Sequence, residues 1–189
     1  MAETKGYIYT MYGGADPGAG WEMNDPIFRP VPTLGACMPN LRRQLEVGDS
    51  VFVISGRVVG LQQYIVGGFR VEEKIDALAA YARFPFYRLT ERPDGGVGGN
   101  IIVEGSGKQN PLDSHSNFVS RVDNYIVGTD ARVIEEPDAI EIARAETVPF
   151  LQELFEKRGD RVFDVLGRQR RVNEQQVSAI NAWLDRLVG

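Results

Sequence analysis

The chain has 189 residues, a net charge of −5, one cysteine and one histidine. A lone cysteine excludes an intrachain disulfide, and a single histidine beside it supplies too few ligands for a structural zinc site. No window approaches the ~18 apolar residues of a membrane span. The opening "MAETKGYIYT" lacks the basic stretch and apolar run of a signal peptide, so a cytoplasmic protein is expected. An acidic chain grips long nucleic acid only through a local basic patch, for which Arg42-Arg43 and the "GRQRR" arginines Arg168, Arg170 and Arg171 are the candidates.

In chain order, "YIYTMY" (7–12) reads as a strand that Gly13-Gly14 ends. A long Gly- and Pro-rich loop, 13–32, follows and carries Trp21 and Phe28; loops of this length inside compact domains are often functional. "MPNLRRQL" (38–45) makes two helical turns, with Pro39 in the first and Leu41 and Leu45 on one face. Gly48-Asp49 then turns the chain into the strand "SVFVIS" (50–55). "QQYIVGGFRV" (62–71) is a further strand, whose Gly67-Gly68 marks a bulge or a close backbone approach. "EEKIDALAAYARF" has helical spacing, while "GGNIIVEG", "NYIVG" and "ARVIEE" complete at least six short strands. Strands at this spacing with brief helices between them predict a mostly antiparallel, closed or nearly closed β-barrel over residues 1–136.

From Pro137 the pattern is helical. "TVPFLQELFEKRG" places Val148, Leu151, Leu154 and Phe155 on one stripe, and "VNEQQVSAINAWLDRLVG" opens on Asn173 with Gln176 three residues on, a capping-box spacing. The predicted fold is therefore α+β, with a helical extension over 137–189 packed on the barrel or on a partner. These amphipathic helices also allow a homo-oligomer, and with it the further reading of the chain as an oligomerising accessory protein.

A base taken out of its stack offers two flat faces and a polar edge. Aromatic side chains cover the faces, and amides or guanidiniums read the edge. Tyr12 and Trp21 beside the long loop, Arg42 on the short helix and Asn100 at a strand start are the residues suited to this, with His115 completing a predicted pocket. A second reading makes the chain an enzyme, with His115 as the acid-base group assisted by Asp49 or Asp113. Cys37 is then either a nucleophile or, as free cysteine more often is, buried and inert. "GGVGG" (95–99) lacks the Lys-Ser or Lys-Thr of a phosphate loop. No cofactor or metal is expected.

Thr33-Leu34, Cys37, Pro39 and Arg42, then Gly48-Asp49, Gly99-Asn100-Ile101, His115 and "NYIVG" (124–128), occur in an order that resembles a nucleotide-modification-associated domain family of bacteria and phages. Ser50 stands where that family has Trp, and Gly99 where it has Asp. "GFRVEE" (68–73) is also similar to a strand of the PUA-like barrels, the EVE, ASCH and YTH relatives. The resemblance implies a PUA-like barrel that holds a modified base, nucleotide or flipped base in a nucleic-acid modification or defence pathway. It adds Thr33 to the site residues and makes Arg42 the arginine that faces the pocket mouth.

Overall fold

Val, Ile and aromatic side chains suit the pleated, half-buried surface of a sheet, and the runs richest in them are strands in the computed structural model, which describes residues 5–189. Residues 1–4 of the expected 1–136 domain lie outside the described residues. The strands are β1 (Gly6–Thr10), β2 (Thr33–Leu34), β3 (Ser50–Ile54), β4 (Ile65–Ile75), β5 (Thr90–Glu91), β6 (Val97–Gly98), β7 (Tyr125–Val133) and β8 (Gln169–Val172). The helices are α1 (Pro39–Gln44), α2 (Ala77–Arg83), α3 (Pro137–Phe155), α4 (Val162–Leu166) and α5 (Glu174–Val188). No helix among the described residues is long and apolar enough to cross a membrane.

Six strands form one mixed sheet in the order β2-β7-β4-β3-β1-β8, and β5 and β6 make a separate pair. The α+β class holds, but the sheet is open, not a closed barrel. Its end strands, β2 with two residues and β8 with four, offer few ladder bonds with which to close. β1 lies parallel to β3, whereas β3–β4, β2–β7 and β1–β8 are antiparallel. The strand β8 corrects the expectation that everything after Pro137 is helical. Gln169 to Val172 pair with Tyr9 to Gly6, so the "GRQRR" segment is sheet edge.

The chain divides into two compact units. The first comprises residues 1–23, 48–70 and 130–189, and buries Ile8, Phe52, Ile54, Leu151 and Leu184 among others. Gly67 and Gly68 are where backbone approaches closely: a Cβ at Gly67 would strike the Arg132 carbonyl, and one at Gly68 the Phe52 ring. The register slips beside them, between Val53 and Ile54. α5 begins with the capping box read from its sequence, Asn173 accepting from the Gln176 N–H at 2.9 Å while Gln176 accepts from the Asn173 N–H at 3.1 Å. Val177, Ile180, Trp183 and Leu184 on that helix are buried, with Trp183 stacked on Phe150 at 5.3 Å. This apolar face is thus covered by the chain itself.

The second unit comprises residues 24–47 and 71–129. Its core gathers Ala77, Ala80, Tyr87, Ile101, Val103, Tyr125 and Val127. Glu72 to Ile75, read as the start of a helix, instead extend β4, and Asp76 caps α2 by accepting from the Ala79 N–H at 2.8 Å.

Candidate functional site

Because β1 and β3 run parallel, they deliver two loops, 11–23 and 55–64, from their carboxyl ends, the usual place for ligands where parallel strands end. The second loop is closed at its neck. The Ser55 N–H donates to the Tyr64 carbonyl at 2.9 Å, the Tyr64 N–H to the Ser55 hydroxyl at 3.1 Å, and the Gln63 amide to the Ser55 carbonyl at 2.7 Å. The two loops also bond to each other, Gly14 N–H to the Arg57 carbonyl at 2.9 Å and Gly56 N–H to the Ala15 carbonyl at 2.7 Å. A Cβ at Gly56 would collide with the Tyr12 carbonyl, so only glycine permits this approach.

Arg144 from α3 fastens both loops. Its guanidinium makes two 2.8 Å bonds to the carboxylate of Asp16, whose side chain is 1% exposed, and donates to the Gln62 carbonyl at 2.5 Å. The same guanidinium lies 4.8 Å from the Tyr64 ring centre. Burial, followed by the Asp16 charge, raises the Tyr64 phenol to about 12. Asp16 also caps the 3-10 turn Pro17–Ala19, and Gly20 follows with φ of 87°. The turn presents Trp21 edge-on to Tyr12, with rings 5.7 Å apart and planes at 88°. Tyr12 is 61% exposed and Trp21 partly so.

On the second loop, residues 57–63 with Arg161 and Val162 line a cleft of about 320 Å³. Arg161 is ion-paired with Asp164 at 2.8 Å. Arg57 is exposed, and its guanidinium has no hydrogen-bond or ion-pair partner among the described residues. A larger cleft of about 540 Å³ lies along Ser50, Arg70, Asp130, Arg132 and Asp185. Both its arginines are already matched, Arg70 to Asp130 at 3.1 Å and Arg132 to Asp185 at 2.5 Å, which leaves no excess charge for a ligand.

The sequence-predicted residues of the second unit come together differently. Asp25, unnoticed in the sequence, sits at their centre. Its carboxylate accepts from the backbone N–H groups of Gly35 at 2.8 Å, Ala36 at 2.8 Å and Cys37 at 2.5 Å, and from the Asn100 amide at 2.9 Å. The other Asn100 amide hydrogen goes to the Thr33 hydroxyl at 2.9 Å, and its carbonyl accepts from the Tyr125 hydroxyl at 2.7 Å. Asn100 and Thr33 are thus buried members of an internal network, not groups open to a ligand. Arg42 is corrected more strongly. It is fully buried, and its N–H groups all point at main-chain carbonyls: Cys37 at 2.8 Å, Asp123 at 2.8 Å, Asn124 at 2.9 Å, Arg121 at 3.0 Å and Ala36 at 3.4 Å. A guanidinium has five N–H donors, and none is left for a phosphate or a base edge. Burial lowers the basicity of Arg42, opposed by the nearby Asp25 charge. Arg43, its neighbour, is exposed.

Cys37 is half-buried, and its thiol is raised to about 12, chiefly by burial and then by the Asp25 charge. A thiol held protonated at neutral pH is a poor nucleophile. His115 shares a 2.5 Å hydrogen bond with Asp113, whose side chain is 2% exposed. Gln109 braces the pair, donating to the Asp113 carboxylate at 2.7 Å and the His115 carbonyl at 2.9 Å. Asp113, not Asp49, is therefore the carboxylate beside the histidine; Asp49 stands in the first unit, 3.8 Å from Lys5. The expected convergence of Trp21, Arg42, Asn100 and His115 is replaced by separate groupings. Trp21 is with Tyr12, Arg42 with main-chain carbonyls, Asn100 with Asp25, and His115 with Asp113. Among the described residues no three His, Cys, Asp or Glu side chains are placed to hold a metal ion.

No family model, curated protein or solved structure matches the chain. The likeness to nucleotide-modification-associated domains accordingly rests on motif order alone.

Proposed function

We propose that the protein recognises a modified base or a nucleotide through the loops at the carboxyl ends of β1 and β3, in a nucleic-acid modification or defence pathway. The observation that carries this reading is the exposed Tyr12–Trp21 pair, held edge-to-face on a loop bonded to the one that bears Arg57, whose guanidinium has no partner among the described residues. An aromatic face stacks on any base, for about 1–3 kcal/mol per base on single strands, and a free guanidinium suits a phosphate or a paired acceptor edge. The buried Asp16–Arg144 pair supports the reading too, since it holds both loops in place before a ligand arrives. The resemblance to nucleotide-modification-associated domains supports it through motif order, and that to PUA-like barrels through the strand "GFRVEE" alone, the sheet being open.

The test is a fluorescence titration with modified nucleosides and nucleotides. Trp183 is buried, so a ligand-dependent change belongs to Trp21 if Trp21→Phe abolishes it. No response to any of these ligands would sink the proposal.

The enzyme reading keeps one specific support, the His115–Asp113 pair, in which a buried carboxylate orients an imidazole as general bases require. Turnover of a bound nucleotide that His115→Gln abolishes, with binding retained, would favour it.

A further inference from the structure

The cleft on the second loop is bordered by a turn of unusual composition. The Leu61 N–H donates to the Val58 carbonyl at 3.2 Å and Gly60 has φ of 83°, a type II turn with Val59 at its apex. Gly, Pro, Asn, Asp and Ser dominate turns, yet here Val59 is 92% exposed and Leu61 43%. The loop is fixed on both sides of them. The Arg57 carbonyl accepts from Gly14, the Gln62 carbonyl accepts from Arg144, and the Gln63 amide donates to Ser55. The apolar groups are therefore held outward, ready for a partner, with little ordering left to do on binding.

The cleft is also one-sided in charge. Its lining brings Val58, Val59, Leu61 and the buried Val162 together with Arg57 and Arg161, and it contains no acidic side chain. Arg161 is matched by Asp164, which lies outside the lining. Arg57 is exposed, and among the described residues its guanidinium has no hydrogen-bond or ion-pair partner. We infer that this cleft docks an acidic segment of a partner protein, which seats an apolar side chain against the Val58–Leu61 turn and sets a carboxylate on Arg57. Base recognition at Tyr12 and Trp21 is not a premise of this; Arg57 is the group that the two sites share.

The surroundings select a protein over other occupants. A small molecule confined to about 320 Å³ would leave Val59 bare at the rim, whereas small-ligand sites enclose most of their ligand. An anionic membrane recruits clusters of about 4–8 Lys or Arg, and one free guanidinium on a chain of net charge −5 is no such cluster. A second copy docked cleft to cleft would bring Arg57 and Arg161 against the same two arginines, a like-charge contact.

Selection of a phage-displayed random peptide library on the whole protein tests this, the selected peptides then being titrated with a fluorescein label read by anisotropy. They should carry Asp or Glu beside a large apolar residue. Val59→Asp and Arg57→Gln should each weaken their binding about tenfold or more, as interface residues that matter do. Urea midpoints should not move, because both side chains are exposed. An empty selection, peptides without that pattern, or binding indifferent to both substitutions overturns the inference. So does sedimentation with phosphatidylcholine–phosphatidylserine vesicles that Val59→Asp abolishes, which would assign the turn to a membrane. A dimer that Val59→Asp dissociates in analytical ultracentrifugation would likewise overturn it in favour of a second copy. The label reports independently of Trp21, so failure here leaves the nucleotide titration, and base recognition with it, standing.

Discussion

The two units place arginine and amide groups in opposite situations. In the second unit, Arg42, Asn100 and Thr33 turn inward and exhaust their donors on Asp25 and on main-chain carbonyls. In the first, Tyr12, Trp21 and Arg57 turn outward, and Arg57 keeps a guanidinium without a partner among the described residues. Residue type is the same chemistry in both places; the number of uncommitted donors is what separates a clasp from a binding group. The Arg42-Arg43 pair makes the point within one helical turn, since one member is fully buried and the other exposed.

The sharpest way to break this contrast is to change Arg42. Arg42→Met leaves buried carbonyls without donors and removes a buried charge's counterpart to Asp25, so it should cost about 3–5 kcal/mol, read by urea unfolding. Arg42→Lys, with at most three donors, should recover only part of that. A stability loss below ~1 kcal/mol for either would show that the clasp matters little.

Next in size is the pin between the loops. Arg144→Met leaves the Asp16 carboxylate buried and unpaired, which should cost about 3 kcal/mol and weaken nucleotide binding together with stability. Loss of stability with unchanged affinity would separate Arg144 from the site.

Trp21→Ala tests the outward face. It should remove about 1–3 kcal/mol of binding to a base-containing ligand, while unfolding shifts by less than ~1 kcal/mol because the indole is not in the core. The reverse pattern would make Trp21 a packing residue.

The smallest effect is in alkali. The unfolded chain releases its thiol proton near 9.0, whereas folded Cys37 holds it to about 12. Between these values the unfolded state binds fewer protons, so stability falls as pH rises. Burial shifts Tyr64 and Tyr125 in the same direction. Cys37→Ala should flatten the decline slightly between pH 9 and 11, and thiol reagents should label native Cys37 far more slowly than free cysteine at pH 8. Labelling at the rate of free cysteine would contradict the raised thiol.

Local patterns were legible and distant partners were not. The α5 capping box needs only Asn173 and Gln176 three residues apart, and Gly67-Gly68 announces close backbone approach by lacking side chains. Trp21 in a Gly-Pro loop likewise marked the outward pair. β8 was missed because "QRRV" has no strand alternation of its own and exists through its pairing with β1, at the other end of the sequence. Arg42 was misjudged because helical geometry tells which side of α1 it takes but not that main-chain carbonyls of residues 121, 123 and 124 occupy that side. The only local hint of Asp25 was an acidic residue before a proline in an apolar stretch, a weak signal in a loop rich in both.

β1 has a consequence for how the molecule comes into being. It is flanked by β3 on one side and β8 on the other, so a chain emerging from the ribosome can form the β1–β3 pair early but must expose the other side of β1 until residues 169–172 have been made. During that interval Tyr7 and Tyr9 sit on a bare sheet margin, the kind of surface that pairs with other nascent chains. A chain cut at residue 136 would keep that margin for its lifetime. It would also lose the Thr147 hydroxyl that accepts the Ile65 N–H at 3.0 Å. The final third of the protein thus supplies the strand that covers the second side of the first.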